Sequence, residues 1–187
     1  MTKQKQPTQL LLGPIPPALI GCGNEKESNI ITLAWVGVVN SSPPMISAAV
    51  RANRHSHDLI RDTGEFTVNL PNRAQVDLAD GCGNLSGRDL DKFEHFNLTA
   101  AKGSLERAPM IAECPISMEC RVEHVLELGS HTLFIGRLVS SYVEEGVLTE
   151  KGKIDFERCD LLGFCAGSYL ETKPLGLSIG YTVKERG

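Results

Sequence analysis

From Asn29 to His57 the chain alternates apolar runs with small and polar residues in a way that suits strands rather than helices. Ile30 to Asn40 is rich in β-branched residues and is apolar on both faces, so it predicts a strand that buries both sides. Ser41-Ser42-Pro43-Pro44 predicts a corner, because neither proline can donate to a ladder. Met45 to Val50 predicts a second buried strand with Ser47 as its one polar position. Arg51 and Arg54 follow, and Ser56 stands where a helix should start. Ser56 is a good cap, Asp58 suits the first turn, Leu59-Ile60 give an apolar face and Thr63-Gly64 a stop.

The same logic extends down the chain. Leu10 to Cys22 predicts a short strand broken by prolines, and Phe66, Val68 and Leu70 share one face of a core strand. Asn72 is placed to cap a helix from Arg73 to Ala79, which Gly81-Cys82-Gly83 should end. Ser86-x-x-Asp89 predicts a helical turn through Lys92-Phe93, with Asp91 and Lys92 at the surface unless the loop folds over a ligand. Thr99 to Arg107 reads as a polar connection. Ile116 to Leu128 and His131 to Val143 predict a long hairpin about Gly129-Ser130, with Gly136 marking a bulge or a close approach. Beyond Gly163 no periodicity assigns an element. Strands joined by hairpins and loops, with short helices, predict a mainly β antiparallel barrel in one domain over 1–187, with 1–9 and 180–187 peripheral.

The arginines, Ser56 and an open helix N-terminus together could receive a phosphate. Taken alone, they are more economically two solvated arginines and a helix cap.

Three blocks in order change that balance. Asn29-Ile-Ile-Thr32-x-Ala34-Trp35-x-Gly37 leads into Ser-Ser-Pro43-Pro44-Met, Ser47-x-x-Val50-Arg51 and Arg54-His55-Ser56; later come Ser86-Gly87-Arg88-Asp89-Leu90-Asp91-Lys92-Phe93 and Gly129-Ser130-His131-Thr132-Leu133-Phe134-Ile135-Gly136. This set resembles the flavin reductase-like family, which includes the flavoredoxins. The resemblance implies an FMN-binding split barrel with Greek-key-type topology. It also implies a homodimer with flavin near the subunit interface.

FMN needs donors and cations for a phosphate bearing roughly 1.5 to 2 negative charges, small polar groups for its ribityl chain and a flat slot for its ring. Arg51, Ser56, Arg54 and His55 suit the first demand. Asn29, Thr32 and Ser47 suit the second, and Ala34, Trp35, Gly37 and Asn40 the third. The resemblance adds Ser86, Gly87, Lys92 and His131 as site residues. It implies an oxidoreductase passing electrons from NAD(P)H or a redox protein through the flavin to an acceptor, with no protein acid, base or nucleophile required. An electron carrier without a nicotinamide site and a non-catalytic binding barrel are the alternatives. Flavoredoxins place cysteine just before the Ser-x-Pro-Pro turn; here Val39-Asn40 stands there.

Composition narrows the rest. A length of 187 residues with 41% hydrophobic and 22% charged positions is that of a globular domain. A net charge of -4 argues against nucleic acid and anionic membranes as partners. No apolar run nears the ~20 residues that span a bilayer, and Met1 to Gln9 lacks a secretory h-region, so a cytoplasmic location is expected. The six cysteines include no Cys-x-x-Cys and are expected as reduced, mostly buried thiols, with Cys114 and Cys120 on one strand; Cys159 and Cys165 flank a turn that would allow contact, and a redox-active pair stays open. His55-x-His57 lacks the further ligands a metal would need.

Overall fold

The structure, a computed structural model, describes residues 1–184, the last of these by backbone alone. Of the peripheral C-terminal stretch, residues 185–187 therefore lie outside the described residues. Four strands open the fold: β1 (Ala18–Gly23), β2 (Ser28–Leu33), β3 (Val36–Ser41) and β4 (Pro44–Val50). Helix α1 (His55–Thr63) leads into β5 (Glu65–Leu70), and a 3-10 turn precedes α2 (Val76–Asn84). Next come α3 (Lys92–His95), the two-residue strands β6 (Ala100–Ala101) and β7 (Met110–Ile111), and the long pair β8 (Ile116–Glu127) and β9 (Thr132–Val143). The chain closes with α4 (Phe156–Cys159), β10 (Leu162–Cys165), β11 (Ser168–Glu171) and α5 (Tyr181–Lys184).

The main sheet has seven strands in the order β2-β1-β5-β8-β9-β4-β3, with every neighbour antiparallel. Its two edge strands, β2 and β3, are consecutive in sequence. Leu33 and Val36 can be only ~10 Å apart, so the sheet must curl until its edges nearly meet. No ladder joins β2 to β3 among the described residues, and the barrel stays split at Ala34-Trp35. This corrects the single strand expected from Ile30 to Asn40. The apolar run feeds two strands, and Gly37 to Ser41 lie exposed on an edge rather than buried on both faces.

Inside the curl, Ile20, Ile46, Phe66, Val68, Cys120 and Phe134 form the core, with Leu59 and Ile60 of α1 packed among them. Gly136 lies opposite Val122 at a register shift, and a Cβ there would strike the Phe66 ring at 2.6 Å. The expected bulge and the expected close approach are one feature. A second cluster of Leu19, Ile30, Cys82, Phe93 and Ile111 packs α2 and α3 outside β1 and β2.

Several local expectations are overturned. Arg54, not Ser56, holds the N-cap position of α1, and Ser56 lies inside the helix. Helix α2 runs straight through Gly81-Cys82-Gly83. Those glycines serve packing, since a Cβ at Gly81 would strike the Phe96 ring and one at Gly83 would touch Thr32. Asp91, not Ser86, caps α3, accepting from Phe93 N and Glu94 N. Cys114 lies just before β8 rather than on it. The unassigned tail supplies the β10–β11 hairpin.

The second face of β5 is buried although polar, which alternation alone did not anticipate. Asn69 donates to Leu19 O at 2.9 Å, and its Oδ1 accepts from Ile111 N and from Ser117 Oγ at 2.7 Å. Ser117→Ala should lower stability by about 1 kcal/mol, the net worth of a neutral buried hydrogen bond, because Asn69 Oδ1 keeps its bond to Ile111. Urea midpoints at unchanged m-value check this; no shift would show that the Ser117 bond contributes nothing.

Candidate functional site

Where α1, β2 and the turn before α3 converge, a small polar recess of about 80 Å³ opens. Its floor is an Asn29–Ser56 pair, with Asn29 Nδ2 donating to Ser56 Oγ at 2.8 Å. Asn29 Oδ1 is buried without a partner among the described residues, an unusual state for an amide oxygen. Gly87 lies directly over that amide, so closely that a Cβ would overlap it. Arg54, Arg88 and Lys92 bring positive charge to the walls. The first turn of α1 leaves a positive dipole end here, although His57 N already donates to Arg54 O at 3.0 Å.

Lys92 is the least expected member, because it is only 2% exposed. Its Nζ donates to Ile30 O and to Cys82 O, each at 2.7 Å, tying β2 to α2. Burial is the main cause that draws its pKa below the ordinary value; the Coulombic pull of Cys82 and Cys22 opposes this, and Arg54 adds to it. Arg88 donates to Asn53 O at 3.0 Å and lies 3.8 Å from Asp58. His55 pairs with Glu27 at 2.9 Å, whereas His57 turns the other way to Thr132 Oγ1 at 2.9 Å. The two imidazoles thus have separate partners. Burial pushes the Cys22 thiol up to about 12 and the Cys82 thiol up to about 11, so neither supplies a thiolate near neutrality.

Ile31, Arg54 and Gly83 also border a second space, a trough of about 380 Å³. Thr32, Ala34, Trp35, Arg51 and His131 line it. Thr32 Oγ1 donates to Ala79 O at 2.6 Å, which leaves its lone pairs free to accept. The Trp35 and His131 rings lie 4.3 Å apart, tilted by 39°. Burial lowers the His131 pKa, and the Arg51 charge adds to the effect.

The structure therefore brings Asn29, His55, Ser56, Ser86, Gly87 and Lys92 together in the recess. Thr32, Ala34, Trp35, Arg51 and His131 meet in the trough. Arg51 stands apart from the recess assigned to it by the sequence. Ser47 and Gly37, expected beside the ribityl chain and the ring, border neither the recess nor the trough and instead face an apolar cavity next door. Asn40 lines none of these spaces; it is exposed and donates to Pro43 O at 2.8 Å, closing the β3–β4 turn. Sequence reasoning missed Arg88, although it lies inside the Ser-Gly-Arg-Asp block. It also missed Asn53, Ala49 and Phe164, for which the sequence offers no signal.

Fold and trough define a split barrel with a cationic pocket at one end of an elongated cleft and an aromatic residue at the other. The chain belongs to the flavin reductase like domain family, which it matches over residues 13–172. It is similar to the flavoredoxin of Methanosarcina acetivorans, with 31% identity, a TM-score of 0.91 and full coverage of both chains. The flavoredoxin of Desulfovibrio vulgaris (Miyazaki F) is 30% identical, with a TM-score of 0.90 over 98% of this chain and 100% of that one. An NADH-dependent FMN reductase of Streptomyces nodosus subsp. asukaensis is 25% identical over 71% of this chain and 70% of its own.

Proposed function

We propose that this protein binds FMN and passes electrons from a reductant such as NAD(P)H through the flavin to an acceptor. The observation that carries this reading is the convergence of Arg54, Arg88, Lys92 and the open end of α1 at one end of a cleft whose other end holds Trp35. The recess fits a phosphate monoester in charge, and the orphaned Asn29 Oδ1 fits a ligand hydroxyl such as the ribityl chain carries. Thr32 offers an acceptor further along, and Ala34 and Ala49 keep the trough floor low. When bound, the flavin supplies hydride and electron transfer. The chain's own part is to bind, orient and exclude water.

Val38, Val39, Leu126, Leu128 and Val139 are exposed apolar residues on the edge strand and the long hairpin. They suit a homodimer contact. No helix among the described residues is long and apolar enough to cross a membrane, and the thiols are free, as a reducing cytoplasm would keep them.

The purified protein should be yellow, or become so with added FMN. A colourless protein that does not take up FMN would overturn the assignment. Arg88→Ala should weaken FMN binding by only about 0.5–1.5 kcal/mol, because this guanidinium is half exposed and screened. Flavin fluorescence titration at fixed salt checks this; a larger loss would make Arg88 the principal anchor. The two flavoredoxin neighbours favour a second reading, a carrier reduced by a protein donor. Rapid anaerobic bleaching of bound flavin by NADH or NADPH alone would exclude it.

A further inference from the structure

On the other side of Trp35 from the trough lies a third space of about 540 Å³, within the range of small-molecule sites. The two share Ala34, Trp35, Ala49 and Phe164 as a common wall. Leu10, Leu12 and Ile15, from the segment before β1, wall its far side with Val36 and Leu133. Ile15 fixes that segment by exchanging backbone bonds of 2.9 and 2.8 Å with Phe164. Among the described residues no charged side chain lines this cavity, in contrast to the recess and the trough.

We infer that this cavity is the acceptor site and that it takes a neutral, planar, apolar two-electron acceptor of the quinone class. The inference rests on the flavin reading above. The shared wall with the trough would put one face of such a molecule close to a ring held beside Trp35. The absence of cations disfavours the diphosphate of a nicotinamide dinucleotide here, since a buried unpaired charge is costly. A flat uncharged molecule meets no such cost and gains apolar contact with Trp35, Phe164 and the leucines. The reaction balances: the quinone takes two electrons and a proton from the reduced flavin and a second proton from solvent. Its two C=O bonds become C–OH, and the flavin returns to its oxidised form.

Gly37 gives a direct probe. It faces the cavity, and a Cβ there would meet only Ser47 Oγ, at 3.9 Å, so a side chain can enter without displacing backbone. Trp35 is the one tryptophan in the chain, and its fluorescence reports occupancy without any turnover. The full-length protein, free and loaded with FMN, is titrated with 2,3-dimethyl-1,4-naphthoquinone, which lacks a free ring position for thiols. Tryptophan quenching follows binding to the free protein, and calorimetry follows binding to the loaded one. Saturable binding is expected in both forms. Gly37→Ala should weaken it severalfold and Gly37→Leu at least tenfold, with FMN affinity of each variant unchanged within twofold.

Competition between quinone and FMN, or parallel loss of FMN affinity in Gly37→Leu, would overturn the inference by showing that the cavity belongs to the flavin. Quinone binding indifferent to Gly37→Leu would also overturn it. A protein that binds the quinone with the expected Gly37 dependence but takes no FMN would keep the site and overturn the flavin reading alone.

Discussion

Lys92→Met should cost about 2–4 kcal/mol of stability in the flavin-free protein and weaken FMN binding by about 1.5–3 kcal/mol. Methionine fills a similar volume but cannot donate, so Ile30 O and Cys82 O lose a partner in a place water does not reach. The same change removes a buried positive charge from the recess. Urea unfolding without ligand separates the first effect from the second. A stability loss under about 0.5 kcal/mol would mean that the two carbonyls are satisfied in other ways.

This lysine also carries a pH signature. Burial holds its folded pKa below the ordinary 10.5, so between the two values the unfolded chain binds more protons than the folded one. Its contribution to stability therefore rises with pH across that window. The buried thiols act in the opposite sense. Cys22, Cys114 and Cys120 are pushed up to about 12 and Cys82 up to about 11, so their contribution falls as pH climbs above 9.0 and the unfolded thiols ionise. Both proteins should weaken in alkali for that reason. The stability gap between Lys92→Met and the unsubstituted protein reports the lysine together with its pull on the Cys82 and Cys22 thiols, which acts in the same direction. It should shift in favour of the unsubstituted protein as pH approaches 10.5. A gap independent of pH would show that the ammonium is not desolvated.

What the residues disclosed, and what they hid, follows their range of interaction. Strands with period-two spacing of apolar residues, such as Phe66-x-Val68, declared themselves, as did the Gly64 stop of α1, whose φ of 67° places it in the left-handed region. These are local signals. The break at Ala34-Trp35 was not readable, because nothing in eleven β-forming residues says that a curled sheet will use their two halves as opposite edges. Gly81 and Gly83 read as a helix stop by propensity, yet their role is set by Phe96 and Thr32 arriving from elsewhere. Lys92 read as a surface residue for the same reason: only the fold supplies the two carbonyls that let it be buried. The recess was recoverable because its members cluster in short blocks. The apolar cavity was not, since Leu10, Gly37 and Phe164 are brought together only by the closing of the β10–β11 hairpin against the segment before β1.

Gly87→Ala tests whether that recess is a working site and not just a dimple. The added methyl would overlap the Asn29 amide, and neither side has room to yield. Asn29 is a short, buried side chain held by Ser56, and Gly87 is fixed between Ser86 and Arg88 at the turn. Overpacking of this kind costs about 1–3 kcal/mol of stability. In the flavin reading the displaced amide also loses its ligand contact and the recess narrows. FMN affinity should therefore fall by about 2 kcal/mol, roughly thirtyfold. Adding Asn29→Ala to Gly87→Ala separates the two consequences. Removing the amide makes space for the methyl, so stability should partly return, a coupling expected of touching residues. FMN affinity should stay low, because the amide that met the ligand is gone. Recovery of affinity along with stability would show that Asn29 merely fills space, and the recess would then owe its anion affinity to Arg54, Arg88, Lys92 and the end of α1 alone.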